Sequence, residues 1–129
     1  MSRVMLDTSA YSAFKRGDSA VTEALAHADQ ILLPVIVLGE LWAGFRGGSR
    51  EEENNRELEA FLESPRVMVH PLGEDVARYF AHTHAFLKKA GTPIPVNDLW
   101  IAACALQAGA VLIARDVHFR AVPGILLVP

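Results

Sequence analysis

The sequence predicts an α/β fold, a single domain with a mainly parallel, five-stranded sheet and helices on both faces. The chain has 129 residues, of which 51% are hydrophobic and 21% charged, and this is typical of one ordered domain over residues 1–129. Short apolar runs alternate with longer segments of helical pattern, which is the sequence form of repeated βα units. We see no internal repeat and no linker.

The elements follow from this alternation. The apolar runs predict strands at 3–6, 30–34, 66–70, 110–114 and 125–128. The segments between them predict helices near 9–16, 19–28, 35–46, 50–63, 74–90 and 97–108. Glycine and proline punctuation supports the divisions, at Gly17, Gly47-Gly48, Ser64-Pro65, Gly91, Gly109 and Pro123-Gly124.

Charge and cysteine content restrict the class of protein. The chain carries 12 basic and 15 acidic residues, a net charge of −3, so any contact with nucleic acid must depend on a local site. Cys104 lies in the apolar run WIAACAL, which indicates a core thiol in a reducing, cytoplasmic setting. We expect no export signal and no membrane association, since Asp7 precedes any apolar stretch of sufficient length.

Four acids fall where the predicted fold would bring them together. Asp7 directly follows the first strand, and Asp116 follows the fourth strand within two residues. Asp98 begins one crossover helix, and Glu40 lies about a turn and a half into another. Crossover helices leave from the carboxyl ends of parallel strands, which is also where ligands bind in open α/β sheets. We therefore expect all four carboxylates at one edge of the sheet.

Each acid also has an ordinary explanation. Asp7 and Asp98 could cap helices, and Asp116 could be a turn residue. Glu40 differs, because its helix is apolar and offers no basic residue within one turn, although the side chain could still face solvent. Four converging carboxylates would repel one another unless a hard divalent cation neutralised them. An all-oxygen ligand set suits Mg²⁺ or Mn²⁺, and carboxylates with Mg²⁺ are typical of phosphodiester chemistry.

Four motifs carry a resemblance to a known family. They are VMLDTSAYS near the N-terminus, GELWAG in the second βα unit, PVNDLWIAACAL before the fourth strand and LIARDVHF after it. In order and spacing, residues 4 to 119 resemble the PIN domain, specifically the VapC-type toxin ribonucleases of type II toxin–antitoxin systems. The resemblance implies a Mg²⁺-dependent endoribonuclease, with Mn²⁺ as a possible ion. It also implies an RNA substrate, a VapB-type antitoxin partner and a homodimer.

The resemblance also implies roles for individual residues. Asp7 and Asp98 would be the principal metal ligands, and Glu40 and Asp116 would complete the catalytic acids. Thr8 and Ser9 match hydroxyl positions that hold such a site by hydrogen bonds. The chain departs from the family at Ala114, where a Thr or Ser is frequent two residues before the last acid.

Cationic residues near the proposed edge are weaker candidates. Arg46 and Arg115 could hold the substrate backbone, although each could equally be an ordinary surface charge. His118 is interpreted as a surface or packing residue, with RNA contact as the alternative.

Other functions remain open at this point. A haloacid-dehalogenase-type phosphatase needs an Asp where Ser9 stands, and a receiver-type phosphoacceptor needs one where the third strand leads into VHPLG. Both are disfavoured by those residues. The remaining alternatives are a PIN-like RNA-processing nuclease outside a toxin system and a catalytically inactive PIN-like binding module.

Overall fold

A computed structural model describes residues 2–128. Five strands form one sheet, at β1 (Arg3–Leu6), β2 (Gln30–Pro34), β3 (Val67–His70), β4 (Val111–Ile113) and β5 (Leu126–Leu127). Six α-helices connect or flank them, at α1 (Thr8–Lys15), α2 (Ser19–Ala26), α3 (Val35–Phe45), α4 (Glu51–Leu62), α5 (Glu74–Ala90) and α6 (Val96–Ala108). A short 3₁₀ helix, Val117–Ala121, lies between β4 and β5.

The sheet has the order β3-β2-β1-β4-β5, and every pairing between these strands is parallel. In β1, the consecutive residues Val4, Met5 and Leu6 are all buried, and β2 is buried from Ile31 to Pro34. Successive side chains of a strand point to opposite faces, so helices must cover both faces of the central strands. The predicted fold class is confirmed, with a sheet that is wholly parallel within residues 2–128.

The boundaries of several elements differ from the predicted ones by one or two residues. The 3₁₀ helix over Val117–Ala121 was missed, because five residues carry too little periodicity to predict a helix. Cys104 is fully buried in α6, as predicted for a core thiol. Among the described residues, no helix is long and apolar enough to cross a membrane.

The helix starts determine where the polar side chains lie. Asp7 is the N-cap of α1 immediately after β1, and Pro34, the last residue of β2, is the N-cap of α3. Strand order places β1 between β2 and β4, so the carboxyl ends of these three strands meet at the middle of one sheet edge. This edge is where the acidic residues gather.

Candidate metal centre

The four predicted acids line one cavity of about 500 Å³ at the carboxyl edge of the sheet. Its wall is formed by Asp7, Thr8, Ser9, Glu40, Asp98, Ile101, Arg115 and Asp116. The acids come from four different segments of the chain, namely the start of α1, the middle of α3, the first turn of α6 and the loop after β4. The structure therefore brings together residues that are up to 109 positions apart, from Asp7 to Asp116.

Asp7 is the most buried of these acids, with 5% of its surface exposed. Its Oδ1 accepts a hydrogen bond from the backbone N–H of Ala10 at 2.8 Å, so it does cap α1. The Ser9 hydroxyl donates to the same carboxylate, at 2.8 and 3.0 Å. Burial raises the pKa of Asp7, and the nearby charges of Asp98 and Asp116 add to the effect despite the opposing hydrogen bonds.

Glu40 is half-buried and held by two polar neighbours. The Thr8 hydroxyl donates to Oε1 at 2.5 Å, and the Asn97 side-chain amide donates to Oε2 at 3.1 Å. Val37 and Leu41, which flank it on α3, are buried in the core and fix the helix in place. The carboxylate thus lines the cavity beside the other three acids.

Asp98 and Asp116 both contact the same nitrogen of one histidine ring. Nδ1 of His118 is 3.1 Å from Asp98 Oδ2 and 2.9 Å from Asp116 Oδ1. The backbone N–H of His118 also donates to Asp116 Oδ1 at 2.9 Å. Asp116 is therefore held by contacts with a residue that follows it, and Ala114 has no part in them.

The two predicted cations have different positions. Arg115 lines the cavity that the four acids share and forms an ion pair with Asp18, the N-cap of α2. The backbone N–H of Val21 and the Arg115 guanidinium both lower the pKa of Asp18. Arg46 is exposed at the C-terminal end of α3 and is not part of the cavity wall.

Two polar residues that contact the acids were not among the predicted site residues, although His118 was considered as an RNA contact. Asn97 contacts Glu40, and His118 contacts two of the acids. A signal existed for each: Asn97 directly precedes Asp98, and His118 follows Asp116 by two residues. Polar residues next to an acid at the carboxyl edge therefore merit inclusion in a predicted site.

The chemistry of these groups fits a divalent cation. Asp7 is a buried carboxylate, and its neighbours within the described chain supply N–H and O–H donors but no basic side chain. Burying a carboxylate without a cation is unfavourable, and two further acids lie close enough to raise its pKa. A bound divalent ion would remove both penalties, and carboxylate oxygens are the donors that Mg²⁺ and Mn²⁺ prefer.

Comparison with known proteins identifies the family. The sequence model of the PIN domain family matches residues 4–125, and this range contains all four acids. This chain belongs to the PIN domain family. Its PIN domain is 34% identical to Ribonuclease VapC5 of Mycobacterium tuberculosis over 121 residues, which cover 93% of this chain and 87% of that protein.

Solved structures share the PIN fold over nearly the whole chain. DNA-bound VapBC from Salmonella typhimurium has a chain with a TM-score of 0.87 and 26% identity, covering 99% of this chain and 98% of that one. VapBC-1 from nontypeable Haemophilus influenzae has a TM-score of 0.85 and 30% identity, covering 98% and 96%. The PIN domain fold that the sequence motifs implied is thereby confirmed.

Proposed function

We propose that this PIN domain protein is the toxin of a type II toxin–antitoxin system and acts as a divalent-metal-dependent endoribonuclease. The observation that carries the proposal is the convergence of four carboxylates on one cavity, where the buried Asp7 is hydrogen-bonded to Ser9 and Ala10 and, among residues 2–128, to no basic side chain. The similarity to Ribonuclease VapC5 and to chains of VapBC complexes supports ribonuclease activity and a toxin role.

Asp7 and Asp98 are the proposed metal ligands, and Glu40 and Asp116 complete the set of catalytic acids. Mg²⁺ is the proposed ion, with Mn²⁺ as a second candidate. When bound, the ion would orient the phosphodiester, activate a water and stabilise charge on the leaving oxygen. The chain's own residues supply the negative charge that retains the cation and fix where each carboxylate points.

Hydroxyl groups orient these acids. Ser9 donates to both oxygens of Asp7, and Thr8 donates to one oxygen of Glu40. With Oδ1 also held by the backbone N–H of Ala10, the Asp7 carboxylate has little freedom to rotate. Such fixed carboxylates lose little conformational entropy when a cation binds, which favours a defined reaction geometry.

Substrate contact is assigned to the cavity wall. Arg115 is its basic residue, and we propose that its guanidinium contacts the RNA backbone beside the metal centre. Arg46 stays a weaker prediction, because it lies outside the cavity wall.

We propose a VapB-type antitoxin as the protein partner, supported by the VapBC complexes among the similar structures. The homodimer and the cytoplasmic setting stay predictions. A single domain over residues 1–129 is also proposed, supported by one hydrophobic core that draws on strands and helices from Val4 to Val122. Sedimentation equilibrium of the purified chain tests the homodimer.

Sequencing of RNA ends tests the function in cells. The chain is expressed without an antitoxin beside Asp98→Asn and Glu59→Gln, where Glu59 is an exposed acid of α4 outside the cavity. The wild type and Glu59→Gln should arrest growth and produce the same new RNA 5′ ends, and Asp98→Asn should produce neither. Growth arrest without new ends would contradict the proposal and favour the binding-module alternative. Identical ends from Asp98→Asn would contradict the assignment of the catalytic site to this cavity.

A further inference from the structure

The His118 ring contacts two acids of the metal centre. Nδ1 lies 2.9 Å from Asp116 Oδ1 and 3.1 Å from Asp98 Oδ2. One potential ligand atom from each of these three residues lies within 4.8 Å of the others. The imidazole therefore adds a nitrogen as a potential metal ligand to a site where the acids offer only oxygen atoms.

Local structure keeps the imidazole at this position. The backbone N–H of His118 donates to Asp116 Oδ1 at 2.9 Å, which fixes the start of the 3₁₀ helix. The next residue, Phe119, is fully buried and anchors that helix in the core. His118 itself keeps a side chain that is 43% exposed, so the ring can reach a cation entering from solvent.

The observed separations suit shared coordination. Neighbouring ligand atoms around an octahedral ion with bonds of about 2.1 Å lie about 3 Å apart. The two Nδ1-to-oxygen distances, 2.9 and 3.1 Å, are close to that value. The same distances are also typical of hydrogen bonds, so geometry leaves two roles for the ring, a metal ligand or a group that only positions the two acids.

We propose that His118 Nδ1 is a further metal ligand beside the proposed ligands Asp7 and Asp98, with Asp116 also in reach of the ion, and that this nitrogen raises the affinity of the centre for Mn²⁺ more than its affinity for Mg²⁺. Imidazole suits transition-metal ions, whereas Mg²⁺ is bound almost entirely by oxygen. The inference rests on the proposed metal-dependent function and adds to it a specific ligand and a preference between ions.

Pulsed electron paramagnetic resonance of the Mn²⁺-loaded protein tests the ligand directly. The wild type should show modulation from an imidazole ¹⁴N, and His118→Gln should lose it. His82→Gln is the matched control, because His82 is an exposed histidine of α5 outside the cavity, and it should keep the wild-type signal. Bound Mn²⁺ without imidazole modulation in the wild type would overturn the proposal.

Calorimetric titration with each ion separates a ligand from a positioning group. In His118→Gln, the affinity for Mn²⁺ should fall about 10-fold or more, which is the lower end of the loss expected for disturbing a metal site. The affinity for Mg²⁺ should change much less. Equal losses for the two ions, or no loss for either, would overturn the ligand role.

The outcomes also distinguish this inference from the proposed function. If the wild type binds Mn²⁺, if this binding requires Asp98, and if the bound ion has no nitrogen ligand, then only the His118 inference is overturned. A wild-type protein that binds neither ion overturns the metal centre and the His118 inference together.

Discussion

The Thr8 hydroxyl donates a hydrogen bond to Glu40 Oε1 at 2.5 Å. This bond joins helices α1 and α3 through two residues that are 32 positions apart in the chain. Thr8 is the first residue of α1, directly after the buried Asp7, and Glu40 lies in the middle of α3. The residue that follows Asp7 in the chain thus holds the carboxylate of Glu40. Among the described residues, the hydrogen bonds to the Glu40 carboxylate come from this hydroxyl and from the Asn97 amide, and neither donor is basic.

Removing this hydroxyl should lower RNA cleavage while the fold persists. Thr8→Val keeps the side-chain shape but leaves Glu40 Oε1 without its donor, and we expect a loss of about 10–100-fold in cleavage rate at saturating metal, as for other groups that orient metal-site carboxylates. Thr8→Ser keeps the hydroxyl and should retain most of the activity. Equal rates for the Val and Ser variants would show that this bond does not orient Glu40 for cleavage.

Replacing Asp7 by Asn should raise the free energy of unfolding of the metal-free protein at pH 7. The pKa of Asp7 is raised by burial, so folding disfavours its ionised form. Asn removes the charge and still caps a helix well, so α1 should remain intact. Urea unfolding in the presence of EDTA measures the difference, and a less stable Asn variant would contradict the account.

The raised pKa of Asp7 also determines how the free energy of unfolding depends on pH. Protonated Asp7 contributes stability that is fully present below the ordinary aspartate pKa of 3.8 and is lost as pH rises through the raised folded-state value. The stability advantage of Asp7→Asn should therefore be largest near neutral pH and shrink on acidification. An advantage that stays constant from pH 7 to pH 4 would show that charge at Asp7 is not its cause.

Added metal should stabilise the folded chain. An ion at a concentration about 100 times its dissociation constant adds about 2.7 kcal/mol to the free energy of unfolding. We expect this gain with Mn²⁺ for the wild type and Glu59→Gln, and a much smaller gain for Asp98→Asn. Thermal unfolding with and without the ion measures it, and an equal gain in Asp98→Asn would place the ion elsewhere.

Arg115 should matter more for RNA binding than Arg46. Arg115 lines the cavity of the proposed metal centre, so Arg115→Gln should raise KM for RNA several-fold and reduce the salt dependence of binding. Arg46→Gln should have a smaller effect. Asp18→Asn is the control for loss of the Arg115–Asp18 ion pair, since it breaks the pair and keeps the guanidinium. A KM that rises as much in Asp18→Asn as in Arg115→Gln would assign the effect to the ion pair.

The arrangement of the acids could be predicted from the sequence because it follows from topology. Parallel strands share one carboxyl edge, so an acid directly after β1 and another after β4 must be neighbours once these strands pair. The capping explanation for Asp7 was also correct, since the same carboxylate caps α1 and lines the cavity. Capping and site formation are therefore compatible roles for one residue.

The partners of the acids could not be predicted in the same way. Asn97 reaches Glu40 across 57 positions, and this contact depends on the distance between α3 and α6 and on two side-chain rotamers. The approach of His118 to Asp98 depends on the 3₁₀ helix, which has no sequence period long enough to detect. Contacts of this kind are determined by packing of the whole domain.

The most direct test of the metal-dependent nuclease is cleavage of a labelled RNA by the purified, antitoxin-free chain. The wild type should cleave with Mg²⁺ or Mn²⁺, stop in EDTA, and yield products without 2′,3′-cyclic phosphate. In the proposed mechanism the nucleophile would be a water activated by the ion and not the 2′-hydroxyl. Asp7→Asn, folded and at the same concentration, should not cleave. Cleavage that persists in EDTA, or an Asp7→Asn protein as active as the wild type, would contradict the central claim.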